Sequence, residues 1–171
     1  MISSLLLASL IAYGNLADAA MHRDVDAVRT MIKQKVDVNA PGVDGTPALH
    51  WVVRVDDLDT AKLLIQAGAD VKLADRYGVT PVYLASSNGN AAMLKVLLDA
   101  GADANSVDPT GDTALMTAAK VGNVEAVKVL LDAGAKVDAT DPTYKQTALM
   151  VAVRENHPDV VRLLVSRGAD V

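Results

Sequence analysis

Apolar positions along this chain come in paired short runs separated by polar turns. One set is Lys62-Leu63-Leu64-Ile65, Val96-Leu97-Leu98, Val129-Leu130-Leu131 and Leu163-Leu164-Val165. The other lies earlier in each pair: Ala48-Leu49-His50-Trp51, Pro81-Val82-Tyr83-Leu84, Ala114-Leu115-Met116-Thr117 and Ala148-Leu149-Met150-Val151. After each later run comes Gly68-Ala69-Asp70-Val71, Gly101-Ala102-Asp103-Ala104, Gly134-Ala135-Lys136-Val137 or Gly168-Ala169-Asp170-Val171, at steps of 33, 33 and 34 residues. The frame extends back through Val36-Asp37-Val38-Asn39-Ala40 to Asn15-Leu16-Ala17-Asp18-Ala19-Ala20. Five units result, at 14–46, 47–79, 80–112, 113–146 and 147–171, after an apolar segment at 1–13. Such self-similarity marks a stacked repeat array.

The runs predict two helices per unit. First helices are expected near 48–55, 81–88, 114–121 and 148–155, and second helices near 58–66, 91–99, 124–132 and 158–166. Asp24, Asp57, Asn90, Asn123 and His157 stand where the second helices start. Asp and Asn there can accept from free N–H groups of the first turn. Pro158 suits a first helical position. Gly68, Gly101, Gly134 and Gly168 suit helix ends, and Gly45, Gly78 and Gly111 suit tight turns in the long loops.

Thr80-Pro81-Val82-Tyr83-Leu84-Ala85, followed by Leu97-Leu98-Asp99-Ala100-Gly101-Ala102-Asp103, resembles the ankyrin repeat, a 33-residue unit with a Thr-Pro-Leu-His-x-Ala signature. The resemblance covers 14–171. It implies an all-α solenoid of stacked helix-turn-helix units with protruding hairpin-like loops. Three departures stand out. Thr46-Pro47 comes one residue early against Leu49-His50, Lys35 replaces a helix-ending Gly, and Thr143-Tyr144-Lys145 gives the last loop an extra residue and no turn Gly. His50 occupies the signature His place, which implies a hydrogen-bonding role at the loop base.

Stacking gives the low aromatic content a reason. The chain has one Trp, four Tyr and no Phe, and small residues such as Ala85, Ala118, Ala119 and Ala152 let layers approach closely. A net charge of −5 argues against nucleic-acid binding and favours protein partners with basic patches. With no Cys there is no disulfide, thiolate zinc site or Cys nucleophile. His22, His50 and His157 lie far apart without metal-ligand spacing. Asp56-Asp57-Asp59 lacks the spacing of a calcium loop. No phosphate loop, nucleophile elbow or catalytic carboxylate pair is present. The reading is therefore non-enzymatic, without cofactor, metal or small-molecule substrate.

In the resembled family the concave face of loop tips and short helices binds protein partners. That implies partner-binding roles for Asp44, Arg76, Tyr77, Thr110, Asp112 and Tyr144 on the loops, and for Arg54, Ser87, Lys120 and Arg154 on the short helices. Arg76, Tyr77 and Tyr144 carry most weight, since Tyr and Arg combine contact area with polar reach. The last unit suggests an alternative, a regulatory or structural module of a larger protein. Its second helix carries Val160, Val161, Leu163, Leu164 and Val165 like an internal unit, a face open to docking or self-association. Polar residues at Val161 and Leu164 are expected to end that association. The segment 1–13 is too short to span a bilayer as a helix. It reads as an export-signal remnant, placing the chain in a periplasm or outside the cell, or else as a cap helix on a cytoplasmic array.

Overall fold

The computed structural model describes residues 13–171. The segment 1–13, Tyr13 apart, lies outside the described residues. Ten helices follow in antiparallel pairs: α1 (Leu16–Met21) with α2 (Val25–Lys33), α3 (Ala48–Arg54) with α4 (Leu58–Gln66), and α5 (Pro81–Ser87) with α6 (Ala91–Asp99). Then come α7 (Ala114–Val121) with α8 (Val124–Asp132) and α9 (Ala148–Arg154) with α10 (Pro158–Ser166). The odd-numbered inner helices pack side by side in chain order, and the even-numbered outer helices form a second layer. Each pair has an apolar face that it cannot bury alone, so one core runs the length of the stack. Ala85, Ala118, Ala119 and Ala152 are fully buried there, where a larger side chain would separate the inner helices.

The chain's own chemistry starts these helices. Asp24, Asp57, Asn90 and Asn123 accept from the N–H of Ala27, Thr60, Met93 and Ala126 at 2.9–3.1 Å. His157 departs from the expected role. It makes no side-chain capping bond. Its Nε2–H instead donates to the Lys120 carbonyl of the preceding pair at 3.0 Å, because an imidazole N–H seeks a free helix-end carbonyl.

Three of the inner helices are capped by Thr80, Thr113 and Thr147, which accept from the third residue on. At α3 the early Thr-Pro places Pro47 at that position, and no side-chain cap forms. His50 is wholly buried, and its Nε2–H donates to the Val79 carbonyl at 2.9 Å. Its Nδ1 is buried without a partner. Burial holds the imidazole below its ordinary pKa, although the Val79 carbonyl favours the proton.

Pro47→Thr is therefore expected to stabilise the fold. The new hydroxyl can accept from the His50 backbone N–H and donate to Nδ1. A cap contributes about 1 kcal/mol, offset by up to about 1 kcal/mol of lost proline constraint on the unfolded chain. The same histidine sets a pH dependence. Its folded pKa lies below its unfolded value of 6.5, so the unfolded chain takes the proton first. Its contribution is full above pH 6.5 and is lost as pH falls through the folded pKa. Urea titrations at pH 7.5 and about pH 5.5 check both points. A lower midpoint for Pro47→Thr at both pH values would refute the missing cap.

Successive pairs are also pinned by polar side chains. Asn39 donates to the Gly68 carbonyl and accepts from the Asp70 N–H, and Asn105 does the same to Gly134 and Lys136. Asp138 accepts from the Asp170 N–H at 2.9 Å. Lys72 holds the matching place between the second and third pairs, and no such pin is found there among the described residues. That seam is joined at the helix turns instead, where Asn88 Nδ2 reaches the Val53 carbonyl and Asp56, and Asn90 also reaches Asp56.

The expected accessibility of Leu164 is corrected. Leu164 and Val160 are fully buried, because the preceding pair covers that side of α10. Val161 is partly buried. The large apolar residues exposed at this end are, among the described residues, Met150, Val153, Val165 and Val171.

Candidate functional site

Four long loops project beside the inner helices as fingers, with tips at 42–46, 75–79, 108–112 and 141–146. Isolated antiparallel bridges, Pro41 with Pro47 and Val107 with Thr113, give two of them a hairpin character. Carboxylates shape the tips. Asp75 accepts from the N–H of Tyr77 and Val79, and Asp108 from those of Thr110 and Asp112. Asp141 is buried and accepts from Thr143, Tyr144 and Gln146. The Tyr144 N–H chiefly holds the Asp141 carboxyl below the usual range, against the effect of burial. These three carboxylates were absent from the expected site, although their steps of 33 residues are legible in the sequence.

Turn glycines lie against the next finger. A Cβ on Gly111, at φ +92°, would meet Pro142 at 2.3 Å. In the last finger Lys145 takes the left-handed place of the glycine, at φ +55°. The inserted residue is absorbed by the third N–H bond to Asp141.

Nine of the ten expected site residues are exposed: Arg54, Arg76, Tyr77, Ser87, Thr110, Asp112, Lys120, Tyr144 and Arg154. Asp44 is partly buried, and its carboxylate holds its own turn by accepting from the Thr46 N–H and hydroxyl. Arg76 lies 4.6 Å above the Tyr77 ring and donates to its hydroxyl. Arg54 lies 5.1 Å from the Trp51 ring, which adds Trp51 to this surface. Both cations are held by aromatic faces.

Farther along, Asp112, Lys120, Asp141, Gln146 and Arg154 line one notch between α7, α9 and their fingers. Arg154 donates to Gln146 at 2.6 Å and pairs with Glu155 at 3.1 Å. Burial pushes the Asp112 carboxyl up, with repulsion from Asp108 and Asp141 adding to it. Among the described residues, no group of three or more His, Asp or Glu side chains could hold a metal ion. None of their helices is long and apolar enough to cross a membrane.

The family profile described as "Ankyrin repeats (3 copies)" matches residues 16–108 and again 92–171. The chain belongs to the ankyrin repeat family. Ankyrin repeats are in general non-enzymatic modules that bind other proteins. Among curated relatives, the chain is 43% identical over 73 residues to "Ankyrin repeat and LEM domain-containing protein 1 homolog" of Caenorhabditis elegans, covering 43% of this chain and 10% of that protein. It is 35% identical over 72 residues to "RelA-associated inhibitor" of Mus musculus, covering 42% of this chain and 9% of that one. It is 36% identical over 62 residues to "Notch-regulated ankyrin repeat-containing protein A" of Danio rerio, covering 36% of this chain and 55% of that relative. The matched stretches are thus about a tenth of the first two relatives and about half of the third. A palmitoyltransferase of Schizosaccharomyces pombe also matches, over 9% of its length, so these repeats occur within an enzyme as well.

Proposed function

We propose that this ankyrin array is a non-enzymatic scaffold whose concave face, built from the four fingers and helices α3, α5, α7 and α9, binds a protein partner. The Arg76–Tyr77 stack carries the reading: a large exposed cation–aromatic pair on a tip whose turn is held by the Asp75 carboxylate. A surface ordered before binding loses little entropy on binding, so a few such contacts give useful affinity. Tyr144, 79% exposed, offers a second anchor on the last finger.

The test immobilises the chain beside a variant carrying Arg76→Glu, Tyr77→Ala and Tyr144→Ala and compares proteins captured from the source-cell lysate. A protein held by the parent and lost by an equally helical variant supports the concave face. Identical capture refutes it.

A second reading is a regulatory or structural module of a larger protein that docks through its C-terminal end. Met150 and Val153 are 55% and 61% exposed, whereas their counterparts Met116 and Ala119 are buried under the following pair. Capture lost on Val153→Asp, with the finger variant silent, favours that reading.

A further inference from the structure

The charge on the two helix layers differs. The outer helices α2, α4, α6, α8 and α10 carry six cations and six carboxylates. Several of these pair locally, as in Lys95–Asp99, Lys128–Asp132 and Arg162–Asp159. Of the inner helices, α1 carries one carboxylate, Asp18, and no cation, whereas α3, α5, α7 and α9, which stand beside the fingers, carry three cations, Arg54, Lys120 and Arg154, and no carboxylate. All three are exposed in the last turn of their helices, at one repeat position where α5 has Ser87 and α1 has Met21. A helix end favours a cation by a few tenths of a kcal/mol, which accounts for a cation anywhere in the turn. It does not account for the shared register or for the missing acids. Neither Arg54 nor Lys120 has a carboxylate within salt-bridge distance among the described residues. Arg154 is held toward its finger by Gln146, with Glu155 beside it and Asp112 across the notch.

We infer that this face recognises an extended acidic peptide segment, carboxylates meeting the row Arg54, Lys120 and Arg154. The inference rests on the concave face being the binding face. It runs against the chain's net charge of −5; among the acids of the fingers, Asp75 and Asp141 are buried, Asp44 and Asp108 hold their own tips, and Asp112 alone stands exposed beside Lys120 and Arg154. Spacing narrows the class further. Neighbouring packed helices lie about 10 Å apart, and an extended strand advances about 3.3 Å per residue. One step along the row thus takes about three residues. The Arg54–Lys120 interval is two steps and the Lys120–Arg154 interval one. The fitting segment has acids at its first, seventh and tenth places, read in one direction or the other. A nucleic acid is disfavoured, since its phosphates need denser positive charge than one cation per step.

The probe is a fluorescein-labelled peptide with Glu at those three places in a Ser/Ala background. Controls replace Glu by Gln or by Lys, and a single-stranded RNA of similar length is a further arm. Anisotropy with the full chain is read at low and at physiological salt, with amide shifts to map the face. Exposed charge pairs contribute about 0.2–1 kcal/mol each, or about 1.4- to 5-fold per contact. The Glu peptide is expected to bind several-fold more tightly than the Gln peptide and to weaken with salt. Arg54→Glu with Lys120→Glu should abolish that preference. Ser87→Arg fills the empty step and should tighten a peptide that has a fourth Glu at its fourth place, which a misfolded variant cannot do. Equal or tighter binding of the Gln or Lys peptide on the same face overturns the acidic class and leaves the concave face standing. Shifts confined to the outer helices overturn both. Tighter binding of RNA, or no binding of the Glu peptide at low salt, overturns the inference.

Discussion

Leu164→Asp is expected to unravel α9 and α10 while the earlier helices stay folded. Leu164 is fully buried, covered by the preceding pair. Losing a buried Leu costs about 3–5 kcal/mol, and a carboxylate left there without a partner adds to that. In a stack where each pair touches only its neighbours, the terminal pair can melt alone. Far-UV circular dichroism should lose about a fifth of its helical signal, and amides of α9 and α10 should exchange rapidly with solvent. Val153→Asp, on the exposed side of α9, should shift stability by no more than about 0.5 kcal/mol. A Leu164→Asp protein with undiminished helicity and midpoint would refute this packing.

The second large effect is expected at Gly122, which ends α7 at φ +83°. An Ala there adopts the left-handed conformation at a cost of about 1–2 kcal/mol. Its Cβ would also lie 2.4 Å from Cε1 of His157. The ring must move, which breaks its bond to the Lys120 carbonyl and costs about 1 kcal/mol more. Together Gly122→Ala should destabilise by about 3 kcal/mol, lowering Tm by about 6–12 °C for a domain of this size. A double-mutant cycle isolates the clash. On a His157→Ala background the same substitution should cost only the backbone part, about 1–2 kcal/mol. Equal costs on both backgrounds would show that the ring is not what the methyl meets.

Why the array is legible in the sequence, and its seams less so, follows from what repetition averages. The outer helices were expected at 58–66, 91–99, 124–132 and 158–166 and are observed there, because five copies of one phase outweigh local ambiguity. Three inner helices end one residue short of expectation, at Arg54, Ser87 and Arg154, where the chain turns before its next cap. The role of His157 and the burial of Leu164 depend on a neighbouring pair, which hydrophobic periodicity within one helix does not describe. At the site, exposure of the tips was legible because tips must be polar and bent. The role of the carboxylates beneath them is not marked by the sequence, because Asp is common in exposed turns and only the folded tip shows which one turns back onto its N–H groups. The bare Nδ1 of His50 had a visible sign, the one-residue slip of Thr46-Pro47. The contrast in charge appears only once helices are sorted into inner and outer layers.

The Lys72 gap has a mechanical consequence. The other seams of the stack carry an Asn or Asp pin in the loop that follows the outer helix, whereas the second and third pairs are joined at the helix turns by Asn88, Asn90 and Asp56 and at the finger base by the bond from His50 to the Val79 carbonyl. This seam is therefore held at both of its ends, but by a different set of side chains from the others: an imidazole and two amides in place of a loop pin. It lies inside the interval that separates Arg54 from Lys120, so the width of that interval is set by His50, Asn88 and Asn90, whereas the step from Lys120 to Arg154 is set by the loop pin at Asp138 and by His157.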